Sequence, residues 1–271
     1  MAESVNLSQA VRTNLLTLQR TSGLIGQTQT RLSTGLKVNS AIDDAAAFFT
    51  AKALSNTAND LESLKSNIDL AISTIQSAID GIDAITELVN QAKGLASNAK
   101  ATGDTNERST LAVQFNELLS QIDTIANDSS FNGTNLLQAT PDNLAVEFNS
   151  DNTSNLTITG LDSTTASTGI NIANAANNFG LSANIDTALT AISSALSTLR
   201  SNASTLGSNN TILSTRLDFT ENLVNTLEGG EGKLTLADLN EESANLLALQ
   251  TRQQLGINSL ALAAQSERSI L

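Results

Sequence analysis

Two adjacent pairs of carboxylates, Asp43-Asp44 and Glu241-Glu242, are the residues of this sequence best suited to chemistry. Paired carboxylates act as acid and base in glycosidases, and they supply the oxygen ligands that Mg²⁺ and Ca²⁺ prefer. No second set of ligands can be inferred near either pair, and charges of this kind more commonly lie in solvent or cap helices. We therefore predict neither a catalytic residue nor a metal site here.

Histidine and cysteine are both absent from the sequence. Their absence excludes Ser-His and Cys-His catalysis, thiolate chemistry, disulfides and ordinary zinc sites. The glycine-rich segment 228–232 lacks the Lys-Ser/Thr pair and the preceding strand of a phosphate-binding P-loop, so we interpret it as a helix break. We expect a protein that is not an enzyme and that holds no cofactor.

The net charge of −13 argues against a nucleic-acid partner, because nucleic acids bind basic surfaces. The first 40 residues reverse this sign, with Arg12, Arg20, Arg31 and Lys37 against Glu3, so the N-terminal helix is expected to contact an acidic neighbour. No apolar run is long enough for a membrane span, and the first residues lack the pattern of a cleaved signal peptide. General rules alone would place the protein in the cytosol.

Heptad repeats predict long helices in a chain whose single proline is Pro141. A first helix, from about Val5 to Leu32, carries a narrow stripe: Val11, Leu18, Ile25 and Leu32. The strongest repeat starts at Leu54 and runs Leu61, Ile68, Ile75, Ile82, Val89, Ala96. A similar repeat marks a helix from about Ile185 to Leu227, and a last helix bears Leu239, Leu246, Leu249 and Leu260.

The middle of the chain carries shorter signals. Asp104 and Glu107 are spaced as in a capping box and predict a third helix, antiparallel to the second. Asn132-Gly133 predicts a turn, and the alternating apolar residues around Val146 and Leu156 predict one small β-hairpin. Residues 149–178 are so rich in Ser, Thr and Asn that we expect an exposed, solvated tip.

The order of these elements is nearly palindromic and predicts a mainly α fold. Long antiparallel helical rods with coiled-coil packing would form its body, and the N- and C-terminal helices would pair. We divide the chain into an N-terminal inner-core helix 1–38, a connector 39–53, outer-core helices 54–138, a hairpin and tip 139–180, an outer-core helix 181–228, a connector 229–238 and a C-terminal inner-core helix 239–271.

The rods and the terminal helices differ in how many apolar positions they carry. The rods have enough apolar positions to form a core within one subunit, whereas the terminal stripes are diluted by polar residues such as Asn14 and Thr21. A pair of such helices would be only marginally stable unless other copies add contacts. The predicted self-assembly residues are Val11, Leu18, Ile25, Leu32, Leu246, Leu249 and Leu260.

Three segments closely resemble bacterial flagellins: Arg31 to Ala46, Phe131 to Leu137, and Leu249 to Gly256 with 261–265 beyond it. The resemblance covers about residues 1–138 and 180–271. Its signature positions are Arg31, Gly35, Asn39, Asp43, Asp44, Asn132, Gly133 and Gln254.

The resemblance implies a structural subunit that polymerises into the bacterial flagellar filament used for swimming. In such a filament the terminal helices form an inner tube, the rods form an outer shell, and the central region faces the medium. It also implies an extracellular location and type III export without a cleaved signal. This expectation replaces the cytosolic location that general rules predict. The partners implied are other copies of the chain, the flagellar cap, hook-junction proteins and an export chaperone.

Two departures from the family pattern stand out. The central region is very short. In flagellins sensed by the vertebrate Toll-like flagellin receptor, an Arg and a Glu occupy the positions that hold Gln91 and Gln114 here, so we expect poor receptor activation.

Three other functions are alternatives to that of a flagellin. A hook-filament junction protein shares similar terminal helices but would stop growing after a few layers. A flagellin-borne protease would need more than about thirty central residues and a histidine for zinc. A secreted helical adhesin would not form tubes of uniform diameter.

Overall fold

A computed structural model of the chain describes residues 9–268, and it confirms the mainly α fold. The helices are α1 (Gln9–Thr34), α2 (Ala45–Ala101), α3 (Thr105–Asp128), α4 (Ser182–Thr235) and α5 (Leu239–Arg268). The strands are β1 (Ser130–Phe131), β2 (Thr134–Asn135), β3 (Leu144–Glu147) and β4 (Asn155–Ile158). The predicted start of the first helix at Val5 lies outside the described residues.

The chain divides into two compact units. The helical unit Asn59–Val224 contains most of α2 and α4 and everything between them. The terminal unit contains the described residues up to Ala58 together with those from Asn225 onward. Within residues 9–268, no helix is apolar over a stretch long enough to cross a membrane.

The core of the helical unit consists of the predicted heptad stripes. Ile68, Ile75, Ile82 and Val89 of α2 are almost completely buried. Their partners in the same core are Ile185, Ile192, Leu199, Leu206 and Leu213 of α4. Each such side chain contributes roughly 1.5–3 kcal/mol by leaving water, so burial of this core stabilises the unit.

Helix α3 begins at the predicted N-cap. The Asp104 carboxylate accepts a hydrogen bond from the Asn106 N–H at 2.8 Å. The second arm of the predicted capping box is different. The Thr102 hydroxyl accepts a hydrogen bond from the Asp104 N–H and donates one to the Glu107 carboxylate. Thr102 therefore links Asp104 to Glu107.

The predicted hairpin is confirmed as β3 and β4, with Val146 opposite Leu156. The predicted turn at Asn132-Gly133 is also present, and both residues have positive φ, 50° and 82°. It closes the short antiparallel pair of β1 and β2, a turn for which Asn-Gly is strongly preferred.

The predicted solvated tip is only partly correct, because most of residues 149–178 are exposed but buried residues interrupt them. Residues 150–153 at the hairpin loop are exposed, but Ser163, Thr164, Ile170 and Ile172 are buried. The polar groups are satisfied locally, since the Asp123 carboxylate accepts hydrogen bonds from the backbone and hydroxyl of Thr165. At the end of the segment, Phe179 packs edge-on against Phe115 of α3, with ring centroids 5.2 Å apart.

Both predicted connectors are too long. Helix α2 starts at Ala45, because the Asp44 carboxylate caps it by accepting the Ala47 N–H at 3.0 Å, so residues 45–53 are helical. Helix α4 continues through the predicted glycine break as far as Thr235. A Cβ on Gly230 would lie 3.4 Å from the Leu54 side chain, so this turn of α4 packs against α2. Only residues 236–238 separate α4 from α5.

Candidate assembly surface on the terminal helices

The terminal helices α1 and α5 pack against each other, as predicted. They run antiparallel, since Arg31 contacts Glu242 and Leu18 lies against Gly256. Side chains at alternating spacings of three and four residues lie buried or half-buried between them, as in a coiled coil. On α1 these are Val11, Asn14, Leu18, Thr21, Ile25, Thr28 and Leu32. On α5 they are Glu242, Leu246, Leu249, Gln253, Gly256 and Leu260.

All seven predicted assembly residues therefore lie in this intramolecular seam. Val11 is buried and the other six are half-buried. Polar or small residues alternate with them, and Thr21 satisfies its hydroxyl by donating to the Thr17 carbonyl at 2.9 Å. The same alternation that dilutes the stripe in the sequence forms the seam in the fold.

One ion pair crosses the seam near the connectors. Arg31 Nη1 lies 2.9 Å from Glu242 Oε1, and Glu242 is only 8% exposed. The Nε atom of Arg31 is buried without a hydrogen-bond partner. Of the predicted acidic pair at 241–242, one carboxylate is thus structural, whereas Glu241 is exposed.

The two connectors are tied together by their backbones. Leu36 forms an antiparallel bridge with Leu236, and the Ala237 N–H donates to the Gly35 carbonyl at 2.9 Å. Gly35 has a φ of +72°, a conformation that favours glycine. This turn ends α1 and directs the chain into the connector.

Asp43 organises the connector loop that follows Gly35. Its Oδ2 accepts hydrogen bonds from the N–H groups of Asn39 and Ser40 and from the Ser40 hydroxyl, all at 3.0–3.1 Å. These bonds, with the Ser40 hydroxyl first, hold the pKa of Asp43 below its ordinary value. Asp43 and Asp44 thus fix a loop and cap a helix, the structural role predicted as the alternative to catalysis. Within residues 9–268, no acidic cluster could hold a metal ion.

The structure brings five of the eight signature positions together around these connectors: Arg31, Gly35, Asn39, Asp43 and Asp44. Asn132 and Gly133 lie instead in the β1–β2 turn of the helical unit, and Gln254 is exposed on α5. A residue of the same sequence segment that sequence reasoning missed is Asn135. Its buried amide donates to the carbonyls of Ala126 and Asn127 and accepts from the N–H groups of Leu137 and Gln138.

Large apolar side chains remain exposed on the faces of α1 and α5 that point away from the seam. We call this surface the outer face. It comprises Leu15, Leu16, Leu24, Leu247, Leu255, Ile257 and Leu262. Three of them, Leu247, Leu255 and Leu262, are each about two-thirds exposed. Leucines outside the heptad stripe were the sequence signal for this surface, but periodicity alone could not show which stripe faces inward.

Gln91 and Gln114 line one groove of the helical unit, between α2 and α3. The groove has a volume of about 690 Å³, and its lining also includes Leu95 and Leu118, the amides of Asn98 and Gln121, and the carboxylate of Glu117. The two positions that depart from the receptor-sensed pattern are therefore neighbours on one surface.

Two family models match this chain. The bacterial flagellin N-terminal helical region matches residues 5–142, and the bacterial flagellin C-terminal helical region matches residues 189–271. This chain belongs to the bacterial flagellin family. Members of the family are structural proteins, and the match makes this flagellin a subunit of the flagellar filament, with other copies of itself as partners.

Curated flagellins are similar in sequence to this chain over nearly its whole length. Flagellin FljM of Caulobacter vibrioides is 35% identical, with 99% of this chain and 97% of the relative covered. A flagellin of Brucella melitensis is 28% identical, with 99% and 98% covered. The crystal structure of Bacillus cereus flagellin shares the fold, with a TM-score of 0.50 at 19% identity over 57% of this chain and 88% of that chain.

Proposed function

We propose that this flagellin polymerises through the outer face of α1 and α5, while the seam between these helices holds each subunit together. The observation that carries the proposal is the exposure of Leu247, Leu255 and Leu262 on helices whose predicted stripes are already occupied within the subunit. Burying one leucine stabilises an assembly by roughly 1.5–3 kcal/mol. Exposed apolar side chains grouped on one pair of helices indicate an interaction surface.

We further propose that the terminal unit forms the inner core of the filament and the helical unit its outer shell. The inner core would comprise the helices within 1–38 and 239–271, and the outer core the helices within 54–138 and 181–228. The hairpin and the segment up to residue 180 would face the medium. The division of the chain into two compact units supports this assignment.

The proposed location is extracellular, in the flagellar filament, after type III export without a cleaved signal. The proposed further partners are the flagellar cap, the hook-junction proteins and an export chaperone. We propose no catalytic role. Membership of the flagellin family supports this location and these partners.

Seeded polymerisation tests the proposed surface. Leu247→Ser and Leu255→Ser should each slow filament growth from sheared seeds and raise the critical concentration, because each removes apolar area from the contact between copies. Leu181→Ser is the matched control, since Leu181 is similarly exposed, at 60%, but lies outside the terminal unit. Equal effects of all three changes would contradict the proposal.

A helix-breaking change tests the division of labour between the units. Leu18→Pro should abolish polymerisation because proline interrupts α1 at a cost of about 3 kcal/mol. The helical unit should keep the wild-type melting transition, measured by circular dichroism. If purified wild-type subunits add only a few layers to hook or filament ends, the chain is a hook-filament junction protein instead.

We also propose that this flagellin is a poor activator of the vertebrate Toll-like flagellin receptor. The support is that Gln91 and Gln114 provide uncharged amides on one groove where the family pattern provides an Arg and a Glu. A reporter-cell assay that found the potency of an enteric flagellin would contradict this proposal.

A further inference from the structure

In the terminal unit, basic and acidic residues lie in different regions. Residues 9–30 of α1 and 243–263 of α5 contain Arg12, Arg20 and Arg252 and no acidic residue. All three arginines are exposed, and none of them takes part in the ion pairs among the described residues. The helical segments that carry the outer face therefore have exposed basic residues and no acidic ones.

The region around the connectors is mainly acidic. We define the connector surface as residues 35–49 and 228–241. Its acidic residues are Asp43, Asp44, Glu228, Glu231, Asp238 and Glu241, against Lys37 and Lys233 as the basic ones. Lys37 donates to the Lys233 carbonyl at 2.9 Å, and Arg31, which borders this surface, is paired with Glu242. Carboxylates remain in excess.

Apolar side chains stand among these carboxylates. Ile42 is 96% exposed and Phe49 is 64% exposed, while Leu236 and Leu239 are each about half exposed. Ile42 does not owe its exposure to a loose loop, because Asp43 and the Leu36–Leu236 bridge hold the connectors in place. The connector surface is thus an ordered acidic surface with exposed apolar side chains.

We propose that the outer face of one subunit binds the connector surface of the next. Arginines would meet carboxylates and leucines would meet Ile42, Phe49, Leu236 and Leu239. The inference rests on the proposed function and names the two surfaces that make one contact between copies. Charge complementarity favours this pairing over contact between two outer faces, which would bring like charges together.

The pairing also has the symmetry that a filament needs. A contact between two different surfaces does not close on itself as a twofold dimer does, and repeating it generates an open helical polymer. A contact of each outer face with its own copy would instead cap growth at the dimer.

Charge reversal at exposed residues tests the pairing. Arg20→Glu should raise the critical concentration for growth from wild-type seeds by roughly threefold to tenfold, because it removes one attraction and adds a repulsion. Arg200→Glu is the matched control: it makes the same charge change at an exposed position of α4 and should have little effect. Adding Glu241→Arg to Arg20→Glu should restore growth. Glu241 suits this purpose because its carboxylate caps no helix among the described contacts.

Cross-linking gives an independent measurement in a chain without native cysteine. Gln19→Cys and Asn240→Cys, each next to a charged residue of the proposed contact, should give covalent dimers with a short bismaleimide when the two variants are co-assembled. Gln19→Cys co-assembled with Thr198→Cys should give none. Filaments that form without the Gln19–Asn240 dimer overturn the pairing and leave the proposed function standing. If wild-type subunits do not extend seeds at all, the proposed function itself fails.

Discussion

Gly81 of α2 lies directly against the side chain of Ser129, the residue that follows the last turn of α3. A Cβ at position 81 would overlap the Ser129 hydroxyl and would stand 2.9 Å from both Ser129 Cβ and Leu137 Cδ1. The Ser129 hydroxyl is fixed in turn, since it donates to the Ile125 carbonyl at 2.7 Å. The absence of a side chain at Gly81 therefore sets how closely the end of α3 can approach α2.

Gly81→Ala should destabilise the helical unit by about 1–3 kcal/mol, because Ser129 and Leu137 cannot both move without breaking packing or a hydrogen bond. Gly94→Ala is the control in the same helix. No atom lies within 4 Å of an added Cβ there, and alanine should stabilise the helix by up to about 1 kcal/mol. Urea denaturation of the two variants should shift in opposite directions, and a shared direction would contradict the packing argument.

The long heptads of α2 and α4 could be predicted from the sequence because their inward positions are apolar over many turns. The seam of α1 and α5 could be predicted only in part. Leu15 and Leu16 stand beside Leu18, so two faces of α1 are apolar, and the choice between them depends on the facing helix. Leu18 faces Gly256 of α5, where an added Cβ would lie 2.7 Å from the end of the Leu18 side chain. The glycine leaves room for Leu18 in the seam, and an alanine there would require the Leu18 side chain to shift.

Two local patterns misled for physical reasons. Glycines at 229, 230 and 232 each weaken a helix by about 1 kcal/mol, a penalty that tertiary packing of the neighbouring turns offsets. The Ser, Thr and Asn composition of the predicted tip indicates solvent exposure only when its hydroxyls and amides lack partners. Here Asp162 accepts from the hydroxyls of Thr164 and Thr168, which allows Ile170 and Ile172 to be buried nearby.

Asn135→Asp should destabilise the helical unit by about 2–4 kcal/mol. The change replaces the buried NH₂ donor by a carboxylate oxygen that faces the carbonyls of Ala126 and Asn127. Asn155→Asp, at an exposed strand position, should change stability by less than about 0.5 kcal/mol. Urea denaturation measures both, and equal effects would show that the amide does not hold the end of α3.

Glu242→Ala should raise the critical concentration for filament growth, because it leaves the Arg31 guanidinium in the seam without its carboxylate. Losing a partner of this kind costs about 1–3 kcal/mol. Arg31→Ala alone should have a comparable effect. The double variant should lose less free energy of assembly than the two single variants lose together. A double-mutant cycle should give a coupling of at least about 0.5 kcal/mol. Strict additivity would show that the pair contributes nothing.

The connector loop should loosen in acid. Hydrogen bonds from Ser40 and Asn39 lower the pKa of Asp43 below its ordinary value of 3.8. Its contribution to loop stability is therefore fully present above that value, and it is lost as pH falls below 3.8 through the lower pKa of the folded state. The amide resonances of Asn39 and Ser40 should shift in that range in the wild type. Asp43→Asn should abolish the shift, and a transition well above pH 3.8 would contradict the assignment.

Restoring the family's charges to the α2–α3 groove should increase receptor activation. Gln91→Arg with Gln114→Glu places a cation and an anion on the rim of one groove, where a receptor that recognises this pair could form charge-assisted hydrogen bonds. Gln91→Arg with Gln121→Glu is the matched control, since it adds the same charges to the same groove but moves the anion to another position of α3. A reporter-cell dose-response curve measures all three proteins. The first variant should be more potent than the wild type and the control, because recognition depends on where the charges lie. Equal potency of the two variants would show that added charge alone, and not its placement at Gln91 and Gln114, determines the response.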